Sequence, residues 1–131
     1  MFSVQIAAPN AWHVMPAGLT PFVHDYLHIG WNDATQNDKP TANVHGVSGN
    51  AVTNGIGAVP LDHAVLGAAF EDKLTPINGG AAAFTDDAND PDALSYSGAY
   101  KVVFLGFGLE SYGTTADKAN LINRTFTFFG P

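Results

Sequence analysis

The clearest pattern of apolar and polar positions lies in the last third of the chain. Residues 81–85 and 93–96 are two largely apolar stretches that flank a polar segment, which predicts a β-hairpin. Residues 101–105 (KVVFL) are continuously apolar after the lysine, as in strands that are covered on both faces. We therefore predict that this strand is buried at the centre of a sheet.

A helix is predicted after that strand. Thr114 and Asp117 have the spacing of a capping box, with Asp in place of the usual Glu. Gly130 and Pro131 follow in the order that commonly ends a helix. Between these ends, apolar residues recur at alternating spacings of three and four: Ala119, Ile122, Phe126 and Phe129. We expect the last three to pack against the strand at 101–105, because a helix that follows a buried strand has that face available.

The first half of the chain carries weaker patterns. Residues 1–6 alternate loosely and predict a short strand. A Thr-Pro pair followed by apolar residues at helical spacing predicts a helix of about two to three turns over residues 20–29. Residues 41–47 predict a strand that ends in a turn at residues 48–50.

Together these elements predict an α/β fold, with a mixed sheet, a central buried strand, β-hairpin additions and a C-terminal helix. A chain of 131 residues has room for one core, so residues 1–131 are expected to form a single module. Hydrophobic residues make up 46% of the chain and charged residues 13%, which excludes a disordered tail. No apolar run approaches the ~20 residues that span a bilayer, so membrane insertion is not expected.

Charge and cysteine content narrow the function further. Twelve acidic and five basic side chains give a net charge of −7 at pH 7, which opposes binding to nucleic acid or anionic lipid. The sequence has no cysteine, which excludes disulfides, thiolate nucleophiles and zinc–thiolate sites. The first residues lack the basic start and the cleavage site of a signal peptide.

Acidic residues crowd the predicted hairpin tip. Four aspartates, with one asparagine among them, form a minority candidate for a calcium site: Asp86, Asp87, Asp90 and Asp92. Their spacing does not match an EF-hand loop, and the glycine that such a loop requires is absent. We favour a solvated turn without a cofactor, and calcium is the alternative.

Several other patterns imitate functional motifs and lack a residue that the motif requires. His24 and His28 have the helical spacing of metalloprotease ligands, but the accompanying glutamate is missing. Residues 46–50 lack the final glycine of a nucleophile elbow, and residues 106–111 lack the third glycine of a dinucleotide-binding loop.

Six aromatic residues include candidates for a sugar-stacking platform: Trp12, Trp31, Tyr26, Tyr96, Tyr100 and Tyr112. Ordinary packing explains most aromatic residues in a chain of this size.

Residues 84–110, followed by Asp117 and Lys118, resemble the C-terminal half of class I glutamine-amidotransferase-like, flavodoxin-like domains that are appended to secreted bacterial peptidases. Residues 20–27 and 44–56 continue the match upstream in the same order. The resemblance implies an incomplete flavodoxin-like fold and an extracellular or cell-surface location.

The chain departs from that family in two respects. Glu110 matches the glutamate of the family's His-Pro-Glu element, but Gly108 stands in place of the histidine. Without that base and without a cysteine, the implied triad is absent, so we expect no enzymatic activity. The strands and helices that open such a domain are also absent, which would leave a strand edge and an apolar face uncovered.

We therefore expect a non-catalytic extracellular structural or assembly module that acts through protein–protein contacts. The partners would be identical copies, forming a homo-oligomer or fibre, or the remainder of a larger polypeptide. The interface candidates are the apolar residues of the N-terminal segment: Met1, Phe2, Val4 and Ile6. One alternative is a carbohydrate- or peptide-binding accessory domain of a secreted hydrolase, and a second is a degenerate amidotransferase-like hydrolase fragment.

Overall fold

The computed structural model of the chain describes residues 22–30, 38–39, 41–64 and 71–131. Its helical segments are a π-helical turn (Phe22–Tyr26), a 3-10 turn (Leu109–Ser111) and the α-helix α1 (Thr115–Phe129). Its strands are β1 (Ile29–Gly30), β2 (Asp38–Lys39), β3 (Asn43–Gly46), β4 (Ala58–Pro60), β5 (Glu71–Asp72), β6 (Thr75–Pro76), β7 (Ala81–Thr85), β8 (Pro91–Ser97) and β9 (Lys101–Leu105).

Five of these strands form an antiparallel sheet in the order β4-β3-β7-β8-β9. Two short antiparallel pairs, β1 with β6 and β2 with β5, lie outside that sheet. The predicted α/β, flavodoxin-like fold is therefore wrong, because every strand pair in the described ranges is antiparallel. Parallel pairing requires long crossover connections, whereas β7, β8 and β9 are joined by short turns. The described chain is mostly antiparallel β-sheet with one C-terminal α-helix.

The predicted central position of the strand at residues 101–105 is also wrong. β9 is the last strand of the sheet and follows β8 in a hairpin, so β8 is its only neighbour within that sheet. Val103 and Leu105 pack on the side that faces α1, while Val102 and Phe104 pack on the opposite side. The strand is continuously apolar because both of its faces are covered. Coverage of the faces does not determine whether a strand has one neighbouring strand or two.

A hydrophobic core lies on each side of the sheet. The larger core is built around Phe84, whose ring meets the rings of Phe107 and Tyr112 edge-on at centroid distances of 5.8 and 5.5 Å. A register shift in β7 between Ala82 and Phe84 places both Ala83 and Phe84 in this core. The smaller core lies on the other face, and its buried residues are Ile29, Leu74 and Leu94.

The predicted ends of α1 are confirmed. Thr114 and Asp117 form the reciprocal hydrogen bonds of a capping box, and Gly130 ends the helix at a φ of 81°. The predicted core-facing stripe is wrong. Leu121 is the buried side chain of α1, Phe128 packs beside it, and Phe126 is 68% exposed.

Predictions for the remaining elements have mixed outcomes. The strand near residue 44, the turn after it and the hairpin of β7 and β8 are confirmed. The helix predicted over residues 20–29 is too long, because its described part is one π-helical turn and Ile29 already belongs to β1. The strand predicted for residues 1–6 lies outside the described residues. Within the described ranges, none of the helices combines the length and apolar character that crossing a membrane requires.

Candidate functional site

An exposed apolar stripe runs along α1. We call it the α1 seam, and its members are Ala119, Ile122, Phe126 and Phe129. Their spacing of three, four and three residues is that of the a and d positions of a coiled coil. None of the three charged residues of α1 belongs to this stripe: Asp117 belongs to the cap, and Arg124 donates from Nη1 to the carbonyl oxygen of Asn54 at 3.0 Å. Lys118 lies one turn before Ile122, at the border of the stripe. The seam itself is therefore an apolar surface suited to helix packing, with one cation beside it.

The C-terminal end of α1 is tied to the sheet by Lys101. Its Nζ donates a hydrogen bond to the carbonyl oxygen of Phe128 at 2.6 Å and lies 5.3 Å from the centre of the Phe128 ring. A cation beside the last carbonyl groups of a helix also interacts favourably with the helix dipole. This contact holds the Phe126 and Phe129 end of the α1 seam in a defined position.

The outer edge of β9, where Lys101 is exposed and the next four residues are half-buried, is a second candidate contact surface. The backbone N–H of Gly106 donates to the carbonyl oxygen of Asp92 in β8. In an antiparallel pair, the backbone groups of alternate residues bond to the partner strand, and those of the residues between them point away from it. By that alternation, the backbone groups of Val103 and Leu105 point away from β8. No described strand pairs with this edge. The opposite edge, β4, is only three residues long and ends in Pro60, which has no N–H to donate.

Five rings form what we call the aromatic surface, beside the turn between β8 and β9: Phe22, Tyr26, His28, Tyr96 and Tyr100. Successive ring centroids from Phe22 through Tyr26 and Tyr100 to Tyr96 are 6.2, 5.9 and 5.1 Å apart. Phe22 and Tyr26 are each 56% exposed, and Tyr100 is also exposed. The structure thus brings together three of the six aromatic candidates from the sequence. Tyr112 lies in the core instead, and Trp12 and Trp31 lie outside the described residues.

His28 anchors the aromatic surface from beneath. Its buried ring stacks on Tyr96 at 3.6 Å, and its Nε2 lies 2.8 Å from the hydroxyl of Tyr100. That hydroxyl donates its hydrogen to the carbonyl oxygen of Asp25 at 2.8 Å. It must therefore accept from His28, which places the histidine hydrogen on Nε2 and leaves Nδ1 as a buried acceptor with no partner among the described residues. Sequence spacing could not reveal this arrangement.

The rim of the aromatic surface is polar. His24 Nδ1 and the Asp25 carboxylate lie 2.6 Å apart, and both side chains are about half exposed. Burial, followed by the neighbouring Tyr96, raises the pKa of the Tyr100 phenol above its ordinary value, so this hydroxyl is neutral at pH 7. His28 adopts a φ of 59°, an uncommon backbone conformation for a residue other than glycine. His28 thus follows the π-helical turn and bonds to Tyr100, whereas the exposed His24 lies within the turn and pairs with Asp25.

The aspartates of the hairpin tip contact different partners. Asp86 accepts hydrogen bonds from the backbone N–H groups of Ala88 and Asp90, both at 2.8 Å, and closes the turn. Asp90 pairs with Lys73 at 2.5 Å, and Asp92 is buried in β8. In the parts of the chain that are described, no group of three or more His, Cys, Asp or Glu residues is arranged to hold a metal ion. The solvated turn and the calcium site remain alternative predictions for this segment.

Asp87 is held by β3. Its carboxylate accepts from Nε2 of His45 at 2.7 Å and from Nδ2 of Asn43 at 3.2 Å. The hydrogen bond from His45, and then that from Asn43, lowers the pKa of Asp87 below its ordinary value. The pair orients the hairpin tip against the neighbouring strand, and both side chains remain accessible to solvent.

The other motif fragments belong to turns. Asn50 is buried after β3 and donates from Nδ2 to the carbonyl oxygen of Ala82 and to Oγ of Ser95, at 2.9 and 2.8 Å. Asn50, which stands where a nucleophile elbow has its final glycine, therefore has a structural role: it links the loop after β3 to β7 and β8. After β9, Gly108 begins the 3-10 turn, and Glu110 in that turn is exposed. The interface candidates Met1, Phe2, Val4 and Ile6 lie outside the described residues.

No family model, curated protein or solved structure matches this chain.

Proposed function

We propose that this protein is a non-catalytic assembly module that associates through the α1 seam. The observation that carries the proposal is the exposure of Ile122, Phe126 and Phe129, which sequence periodicity alone would have placed in the core. Contiguous exposed apolar surface is unusual in a soluble monomer and is typical of interaction sites. The absence of cysteine from the sequence, with Gly108 in the place of the family's histidine, supports a role without catalysis.

The partner that fits this surface is a second copy of α1. The heptad-like spacing of the seam is suited to another helix, and α1 is the one α-helix in the described ranges. A seam without charged residues is self-complementary, so two copies related by a two-fold axis can bury it against each other. Such pairing also keeps the acidic Asp117 of each negatively charged chain out of the contact.

The outer edge of β9, with which no described strand pairs, supplies a route to a larger assembly. If two copies pair through the α1 seam, the outward backbone groups of Val103 and Leu105 can still join a strand of another molecule. A closed dimer uses the helix contact alone, whereas a fibre requires both contacts. An extracellular location stays a prediction of the sequence resemblance.

Light scattering coupled to size-exclusion chromatography tests the helix contact. We expect the wild-type protein to show at least twice the 13.7 kDa mass of one chain at high concentration. Phe126→Asp places a charge in the middle of the α1 seam and should return the protein to a single-chain mass. Ala116→Asp is the matched control, since it adds the same charge at an exposed position of α1 outside the seam.

Circular dichroism of both variants shows whether the helix and sheet are retained. A wild-type protein that stays monomeric at all concentrations contradicts the proposal. Equal dissociation by Phe126→Asp and Ala116→Asp also contradicts it, because the effect would then come from net charge and not from the seam. Continued growth of the wild-type mass with concentration, instead of a plateau at two chains, indicates that the β9 edge takes part.

A further inference from the structure

We infer that the aromatic surface is a carbohydrate-binding site for an uncharged, β-1,4-linked hexopyranose chain. The site is separate from the α1 seam and needs no second copy of the protein. It lies at the turn between β8 and β9, and its accessible rings are those of Phe22, Tyr26 and Tyr100.

The first argument is the row of exposed rings. A pyranose ring presents a flat face of C–H groups, which packs favourably on the electron-rich face of an aromatic ring. Centroid separations of 6.2 Å between Phe22 and Tyr26 and of 5.9 Å between Tyr26 and Tyr100 are comparable with the length of one pyranose unit. The rings of Phe22 and Tyr26 are stacked with 25° between their planes, and those of Tyr26 and Tyr100 are tilted by 35°. An extended β-1,4-linked chain, whose units repeat at a comparable interval, would place successive sugar units beside successive rings.

The second argument is the polar rim. Sugars carry hydroxyl groups around the edge of the ring, and these must find hydrogen-bond partners when the flat face is buried. The Asp25 carboxylate is an acceptor beside Tyr26, and the exposed His24 imidazole lies next to it.

The third argument is that the Tyr100 end of the aromatic surface is held in place before a ligand arrives. The Tyr100 hydroxyl bridges His28 and the backbone of Asp25, and His28 is itself stacked on Tyr96. Rigid side chains lose little conformational entropy on binding, which favours affinity. The net charge of −7 and the carboxylate of Asp25 disfavour uronic acids and sulfated sugars, so the ligand is an uncharged sugar.

Isothermal titration calorimetry with cellohexaose and chitohexaose tests the inference. Each probe is a single short chain, so the measured affinity does not depend on how many protein copies associate. We expect saturable binding of at least one probe. Tyr26→Ala should weaken that binding about two- to twelvefold, because an aromatic contact contributes about 0.5–1.5 kcal/mol. Tyr26→Phe keeps the ring and should retain most of the affinity.

Phe126→Ala is the control, because it removes an aromatic ring from the α1 seam that is at least as accessible as that of Tyr26. It should leave sugar affinity unchanged. Phe22→Ala provides a second test within the site and should weaken binding to a similar degree as Tyr26→Ala. Absence of binding to both oligosaccharides overturns the inference. It is also overturned if Tyr26→Ala and Phe22→Ala bind as tightly as wild type, or if Phe126→Ala causes the same loss.

Discussion

Leu121 and Ile122 are neighbours in α1, yet Leu121 is 2% exposed and faces the large core while Ile122 is 38% exposed and belongs to the α1 seam. The side chains of successive residues in a helix point in directions about 100° apart, so Leu121 can pack in the core while Ile122 lies on the surface. The inward contact stabilises the single chain, and the outward one is available to a partner.

This division predicts different stability losses for two similar substitutions. Leu121→Ala should lower the free energy of unfolding by about 2–5 kcal/mol, because it leaves a cavity in a packed core. Ile122→Ala should cost less than about 1 kcal/mol in the monomer. Urea unfolding followed by circular dichroism measures both losses. The Ile122→Ala loss should increase with protein concentration if the seam pairs, and equal losses at low concentration would show that the assignment of faces is wrong.

Asn50 is predicted to be a major polar determinant of stability. Its side chain joins the loop after β3 to β7 and β8, and its Oδ1 also accepts from the backbone N–H of Val52 at 2.9 Å. Asn50→Ala removes these bonds from a buried position and should cost about 1–3 kcal/mol. Asn54→Ala is the matched control at an exposed position and should cost less. Thermal unfolding compares the two, and a larger effect at Asn54 would contradict this role.

The capping box of α1 should make stability sensitive to acid. The hydrogen bond from the Thr114 side chain, followed by that from the Thr114 backbone, lowers the pKa of Asp117 below its ordinary value of 3.8. The folded chain therefore binds this proton less readily than the unfolded chain does. The stabilisation is complete above that ordinary value and is lost as the pH falls through the lowered pKa.

The difference in unfolding free energy between wild type and Asp117→Asn tests this dependence. The difference should be largest near neutral pH and should shrink below about pH 4, because the wild-type carboxylate then becomes protonated. Thr114→Ala removes the other half of the cap and should cost about 0.5–2 kcal/mol near neutral pH. A difference that is independent of pH would show that the carboxylate charge does not contribute.

The buried phenol of Tyr112 should make folding stability sensitive to alkaline pH as well. Burial, followed by the charge of Asp117, raises the pKa of the Tyr112 phenol from 10.0 to about 12. The unfolded chain loses this proton more readily than the folded chain, so stability is complete below about pH 10 and falls as the pH rises towards 12. Tyr112→Phe should remain folded to a higher pH. Alkaline unfolding followed by circular dichroism checks the shift, and an unchanged midpoint would exclude Tyr112 as the cause.

Local sequence patterns correctly predicted the elements that are stabilised by contacts between residues only a few positions apart. The hairpin of β7 and β8 follows from apolar stretches around a turn, and the ends of α1 follow from Thr114, Asp117 and Gly130. Each of these features is specified within a few residues, where turn and capping hydrogen bonds form. The helix expected over residues 20–29 was wrong because helical spacing there competes with the pairing of β1 with β6, a contact between distant segments.

The aromatic surface illustrates what sequence alone does not specify. Tyr26, Tyr96 and Tyr100 were candidates among six aromatic residues, and nothing in their spacing singled them out. They meet because Tyr26 lies in the π-helical turn over the small core, while Tyr96 and Tyr100 flank the turn between β8 and β9. The partner of His28 is Tyr100, 72 positions away.

The sequence by itself determined the hairpin, the C-terminal helix with its two ends, and the absence of a cysteine nucleophile. Only the tertiary structure decided that the strands are antiparallel, that β9 is at an edge, and which stripe of α1 is buried. The physical reason is that periodicity records which side chains are apolar but not what they contact. The bridge between Leu61 and Tyr112 just before α1, and the hydrogen bond from Lys101 to Phe128, hold the two ends of α1 on the sheet. Leu121 and Phe128 therefore reach the core, and the more regular stripe through Phe126 is left facing outward.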